Sequence, residues 1–398
     1  MDDSNRRQQT VLIYLLAFVC AIGNPVVLPS LPFIMRDFGL SPLEMGLIIS
    51  VFALPGIAVI PLYGVLSDRI GRRPLLLAGL TLCGAGSLLC YTAPGFSWLL
   101  AGRALQGLSL TPLEAMCNTL ISDLYEGEER MRFVTKATAM QYFSIAVTPL
   151  MVSWLLSMGS WRLSLLAAAA LCFGALLFCL PIRLPYRPSR SVSFGLYASH
   201  IKTILASPRV LSLFSVRFGA ALILFGAIYP HISLLAEEKL LLPPQQGSLL
   251  FAVYAAGMFL GALFSPMAMR SLPPRLVGFL GGAQVAVSML LLLFCSTVWQ
   301  ALPGLLFVGT GAGMLNACCA GHVSLSSTPD TRGSIMSAYS TIFRIGQFCA
   351  PLLFGLFYQQ WSFSGVFGAG VVFAFAVTFA AALSFAYAHK LEHSHTDI

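Results

Sequence analysis

Four charged side chains stand out because the residues around them are almost all apolar: Arg103, Glu114, Arg217 and Arg344. An ionised side chain in hydrocarbon costs roughly 2.5–3.5 kcal/mol or more, so each is a functional candidate by default. Glu114 is the acid of the set. A carboxylate in such a setting has a raised pKa and exchanges protons near neutral pH, which suits proton coupling or a substrate contact. The alternative is a static ion pair. The arginines carry planar donor forks that match carboxylate and phosphate groups. Three positive charges against one negative repel a cation at short range, so the expected ligand is anionic, zwitterionic or amphoteric. That preference vanishes if Arg217 snorkels to the surface and Glu114 neutralises Arg344.

Arg103 and Glu114 lie eleven residues apart, about 16 Å along one helix, so they share a face without touching. Gln106, Thr111 and Asn118 fall on or beside that face and make it a polar stripe toward a cavity. Gln347 lies beside Arg344, together with Tyr339, Ser340 and Thr341. Asn24, with Pro25, interrupts the first run and is expected to line the cavity; as an amide it is not a proton site. Tyr254 and Asn316 lie mid-run, and each either lines the cavity or bonds to a neighbouring helix. Enzyme chemistry is not expected, since Glu114 has no histidine near it and His231 and His322 fall near the ends of apolar runs. Neither a metal nor a cofactor is expected. The ten cysteines sit inside apolar runs as small apolar side chains, and the His393/His395 pair reads as a solvated terminus.

The elements that hold these groups follow from composition. Of 398 residues, 57% are apolar and 10% charged, and mean hydropathy is +0.83. A soluble domain carries roughly 25% charged residues. Twelve apolar runs are long enough to cross a bilayer: 10–35, 42–66, 74–93, 97–122, 133–157, 163–181, 210–236, 245–269, 275–296, 299–326, 333–358 and 363–388. They are continuous, which excludes a β-barrel. The first continues past Gly23 without a cleavage-like site, so it is read as retained. The expectation is an all-α integral membrane protein of twelve transmembrane helices. The net charge of +8 is a topology signal with no bearing on nucleic acid. Seventeen of the 23 Lys and Arg fall on one side, placing both termini in the cytoplasm of an inner (plasma) membrane. Contact with anionic lipid headgroups is a secondary role for the basic loop 182–209.

That loop divides the chain into 1–181, the linker 182–209, and 210–398. The halves match at an offset of 202 residues: Glu128 and Arg130 fall on Asp330 and Arg332, Pro149 on Pro351, Arg73 on Arg275. Two six-helix halves in parallel suit a rocking transporter with its substrate site between them.

Between the second and third runs the chain reads Gly64-Val65-Leu66-Ser67-Asp68-Arg69-Ile70-Gly71-Arg72-Arg73. This resembles the G-x-x-x-D-R-x-G-R-R signature of the major facilitator superfamily. Arg103-Ala104-Leu105-Gln106-Gly107 resembles the R-x-x-Q-G motif of its drug:proton antiporter branch, and Gly159-Ser160-Trp161-Arg162 is similar to a G-x-W-R element found there. The resemblance implies two pseudo-symmetric six-helix bundles in the major facilitator fold, working as a monomer in the lipid bilayer. It implies alternating-access transport of a small molecule coupled to protons, here export. It also implies a gate: Asp68 against the start of the eleventh span near Gly333, with Arg72 or Arg69 reaching Asp123. A topological anchor without gating is the other reading of that loop. Because Arg103 belongs to a family motif, a structural or coupling role comes before substrate contact. One departure stands against antiport. The fifth span reads Ala146-Val147-Thr148-Pro149-Leu150-Met151-Val152-Ser153, without the branch's Gly-Pro pair. An importing symporter or facilitator stays open on that ground, and a non-transporting sensor is a minor alternative.

Overall fold

The computed structural model describes residues 3–182, 184, 208–325 and 332–394. In hydrocarbon every backbone N–H and C=O must be bonded within the segment, which is why a chain this apolar forms helices. Among the described residues there is no strand. The helices are α1 (Asp3–Ala21), α2 (Leu31–Phe38), α3 (Pro42–Ile70), α4 (Arg72–Tyr91), α5 (Phe96–Leu124), α6 (Gly127–Ser157) and α7 (Arg162–Cys179). They continue as α8 (Pro208–Leu222), α9 (His231–Leu234), α10 (Pro244–Ser271), α11 (Pro274–Phe294), α12 (Val298–Leu325) and α13 (Arg332–Ser394).

The breaks have local causes. Gly23–Val27 is non-helical, because Pro25 lacks an N–H and its ring crowds the preceding turn. The first expected span is therefore α1 and α2 with a turn between them. Gly71 takes φ +95°, a left-handed value that separates α3 from α4 and that only glycine adopts freely. The eleventh and twelfth runs join as α13, interrupted at Ser362, where φ is +52°. Among the described residues nine stretches are long and apolar enough to cross a membrane; one of them, Ile335–Leu383, takes in both of those runs. Length and hydropathy thus do not reproduce the count of twelve. The turn at Gly23–Val27 divides the first run, and the polar side chains of α5 lower its hydropathy.

The chain divides into two compact units, Met1–Ser41 with Leu47–Phe194, and Pro42–Gly46 with Gly195–Ile398. In the first, α4 packs on α5 and α7, and α1 on α5 and α6. Its core gathers Leu12, Leu16, Leu76, Leu80, Leu113 and Leu120 around buried Cys83, Cys117, Cys172 and Cys179. In the second, α12 packs on α10 and α11, and α13 on α8 and α11. Most of the expected linker, and Asp330 of the repeat, lie outside the described residues.

The 202-residue offset reappears in the packing. A Cβ on Gly107 would collide with the Phe52 carbonyl oxygen, and one on Gly309 with the Tyr254 carbonyl oxygen. Both members of each pair are 202 residues apart, so α3 meets α5 as α10 meets α12. Small residues let such backbones touch. Gly107→Ala and Gly309→Ala should each lower stability by about 1–3 kcal/mol. Thermal unfolding in detergent checks this, with Gly174→Ala and Gly368→Ala as controls, since nothing lies within 4 Å of a Cβ there.

Candidate functional site

Arg103 sits at the centre of the first unit and is fully buried. Its Nη1 donates to the Gly23 carbonyl and to Gln106 Oε1, both at 2.7 Å, and Nη2 donates to Asn24 Oδ1 at 2.8 Å. Nε donates to the Ile48 carbonyl at 3.1 Å. The guanidinium lies 4.5 Å from the Phe52 ring centroid. Gln106 continues the network to Ser87 Oγ on α4, at 2.8 Å. Arg103 therefore stitches the broken first span to α3, α4 and α5. Arg103, Asn24 and Gln106 are all buried, and they bond to one another and to backbone carbonyls.

The stripe along α5 consequently divides in two. Arg103 and Gln106 are enclosed, whereas Glu114 and Asn118 are exposed; the side chain of Thr111 lies outside the described residues. Asn118 Nδ2 donates to the Glu114 carbonyl at 3.4 Å. Further along α5, Asp123 Oδ2 accepts from Arg72 Nε at 3.1 Å, an ion pair with side chains only 9% and 12% exposed. The turn at Gly71 aims Arg72 this way, while Arg73 Nη2 donates to the Leu180 carbonyl at 2.5 Å. The side chains of Gly64's neighbours Asp68 and Arg69 lie outside the described residues, as does Gly64's own surroundings.

At the other end of this unit is a contact that sequence reading missed. Asp37 Oδ2 accepts from Arg162 Nη1 at 2.7 Å and from Trp161 Nε1 at 3.0 Å. These bonds hold the Asp37 carboxyl below its ordinary value of 3.8. Gly159, at φ +96°, makes the turn that presents both donors. The signal available was the G-x-W-R element itself, which needs an acceptor; nothing in the spacing names Asp37.

In the second unit Arg217 is partly buried. Its Nη1 donates to Asn316 Oδ1, and its guanidinium carbon lies 3.7 Å from the Phe343 ring centroid and 4.9 Å from that of Tyr339. It does not snorkel. Among the described residues no carboxylate lies at ion-pair distance from Arg103 or Arg217. Arg217 Nε and the Tyr339 hydroxyl are both buried and lack hydrogen-bond partners among the described residues. Asn316 stands 202 residues after Glu114, so the repeat puts a neutral acceptor where the first unit has its acid. Arg344 Nη1 donates to Gln347 Oε1 at 2.8 Å, and Gln347 is enclosed. Tyr254 is also enclosed, with its hydroxyl 2.6 Å from Met258 Sδ. Gln347 is thus the partner of Arg344, and Tyr254 packs against Met258.

The groups brought together are hydrogen-bond donors around Arg217 in one unit and an exposed carboxylate, Glu114, in the other. The sequence profile of the Major Facilitator Superfamily matches residues 13–240 and again 220–396. The quinolone resistance protein NorA of Staphylococcus aureus is 24% identical over 363 residues, 88% of this chain and 90% of that one. The chloramphenicol resistance protein CraA of Acinetobacter baumannii is 26% identical over 374 residues, 88% of this chain and 87% of that one. A crystal structure of the nucleoside transporter NupG shares the fold with a TM-score of 0.80 at 14% identity, covering 95% of this chain and 100% of that one. Matched in both halves by one profile, this multi-pass membrane protein belongs to the Major Facilitator Superfamily and moves small molecules across its membrane.

Proposed function

We propose that this transporter exports a small organic anion, zwitterion or amphoteric drug in exchange for protons, by alternating access. The observation that carries the exchange is Glu114, an exposed carboxylate in the interior of the long membrane helix α5, with Asn118 one turn further on. An acid inside a membrane span is a functional group by default, and proton exchange requires one there. The whole-length likeness to two resistance proteins supports the outward direction. The arginine clusters around Asn316 and Gln347 supply the donors for the anion.

In this reading the protein is a monomer of twelve spans in two six-helix bundles, 1–181 and 210–398, joined by 182–209. It lies in the plasma membrane with both termini in the cytoplasm, as the loop charges favour. The Gly64–Arg73 loop, with Asp123 as partner of Arg72, acts as the cytoplasmic latch and has to open during each cycle. Glu114→Gln in proteoliposomes tests the exchange. The variant should lose accumulation driven by a pH gradient while keeping downhill counterflow of the same compound. If it still concentrates substrate, the proton travels elsewhere. Import by proton symport is the second reading, favoured by the absence of glycine from Glu128 to Met158. Uptake into right-side-out vesicles under an inward proton gradient would establish import instead.

A further inference from the structure

The first unit encloses an apolar cavity that neither Arg103 nor Glu114 lines. Its volume is about 310 Å³, and it lies among α1, the turn after it, α6 and α7. Phe18, Ile22 and Val26 wall one side and Met151 another, while α7 presents Ala168 and Leu171. Ile22, Val26 and Ala168 are buried, whereas Phe18, Met151 and Leu171 are partly exposed, which gives the cavity a floor and a mouth. Ligand pockets begin at roughly this size. A dry cavity of about 150 Å³ takes benzene, so this one has room for roughly two fused rings.

One polar side chain meets this space. Thr148 of α6 lines the cavity and is buried, and its hydroxyl has no hydrogen-bond partner among the described residues. Thr10, Thr92, Thr138, Thr341 and Thr378 each donate to the carbonyl four residues earlier. Thr148 does not, so its hydrogen-bonding capacity is left for something else. It precedes Pro149, where the antiporter branch's Gly-Pro pair has a glycine and no hydroxyl. Water answers it poorly. A buried water takes about two to four polar partners, and Thr148 is the one polar side chain in this lining. A lipid acyl chain would fill the apolar walls but leave the hydroxyl unpaired. A charged ligand would shed its hydration and find no countercharge.

We propose that this cavity binds an uncharged, largely apolar molecule of about two fused rings, with one hydroxyl or carbonyl group for Thr148. Its occupant packs on Ile22 and Val26, which flank Gly23 and Asn24, the residues whose oxygens take Arg103. It therefore bears on the same turn that Arg103 holds from α5. Binding there depends neither on which compound is transported nor on the direction.

The probe is tritiated 2-naphthol, and the readout is saturable uptake by the full-length protein in nanodiscs, beyond that of empty nanodiscs. Wild type should bind 2-naphthol about threefold to tenfold tighter than naphthalene, the worth of one hydrogen bond. 2-Naphthoate, which is charged, should bind more weakly than either. Thr148→Val, nearly the same in shape, should abolish the advantage of 2-naphthol and leave naphthalene binding within about twofold. Ala168→Phe should fill the cavity and remove saturable uptake of both. Should Ala168→Phe not fold, Met151→Trp fills the same space from α6. Three results would each overturn the proposal: no saturable uptake by folded wild type, an advantage of 2-naphthol that survives Thr148→Val, or uptake that survives filling of the cavity.

Discussion

Replacing Arg103 by lysine is expected to leave little stably folded protein, although the charge is kept. The guanidinium reaches the Gly23 and Ile48 carbonyls, Asn24 and Gln106 from three nitrogens spread across a plane. One ammonium nitrogen cannot span acceptors on three separate elements. At least two buried acceptors and part of a buried charge would then lack partners, at a cost of about 3–5 kcal/mol. That is a large share of the ~5–15 kcal/mol by which domains are stable. Arg103→Ala should be as severe, since it strands all four acceptors and leaves a void against Phe52. Thermal unfolding and yield of monodisperse protein measure this. A lysine variant that unfolds at the wild-type temperature and yet fails to transport would give Arg103 a direct part in substrate or proton movement instead.

Arg217→Gln is expected to remove the preference for anions. The guanidinium is held by Asn316 and flattened between Phe343 and Tyr339, with its Nε and the Tyr339 hydroxyl still unpaired. Charge-assisted hydrogen bonds contribute about 1.5–3 kcal/mol each. Losing one should therefore weaken a carboxylate ligand roughly tenfold to a hundredfold. A matched cation of the same size should change less than about threefold, or bind better, because a repelling charge is gone. Binding of such a pair to the purified protein, repeated with Arg344→Gln, reads this directly. Tighter binding of the cation by wild type, unaltered by either substitution, would show that these arginines do not select charge.

Some of this was legible in the residues alone and some was not, for physical reasons. The helical fold follows from apolar content, and the pairing of Arg72 with Asp123 from a motif whose glycine forces the turn. The fate of Arg103 does not. Helical spacing puts Arg103, Glu114 and Asn118 on one side of α5, but burial changes along that side, because Asn24 and Ile48 cover only the first part. Those partners are 79 and 55 residues away in the chain, and spacing carries no trace of them. Asp37 is hidden in the same way from Trp161. The touching glycines Gly107 and Gly309 were visible as letters, but that each meets a carbonyl 55 residues earlier emerges only once the helices cross.

The break in the first span has a consequence for how the protein is made. Synthesis exposes Gly23 and its free carbonyl to the bilayer long before the arginine that will bond it, which is 80 residues further on. At about 5–20 residues per second, that interval lasts roughly 4–16 s. A kinked segment with an unanswered carbonyl is a poor occupant of hydrocarbon. The nascent first helix would then be held at the translocation channel until the fourth arrives. Release of the first four spans as a group is the expected order of biogenesis, and chains truncated before Arg103 would be the ones cleared by membrane proteases.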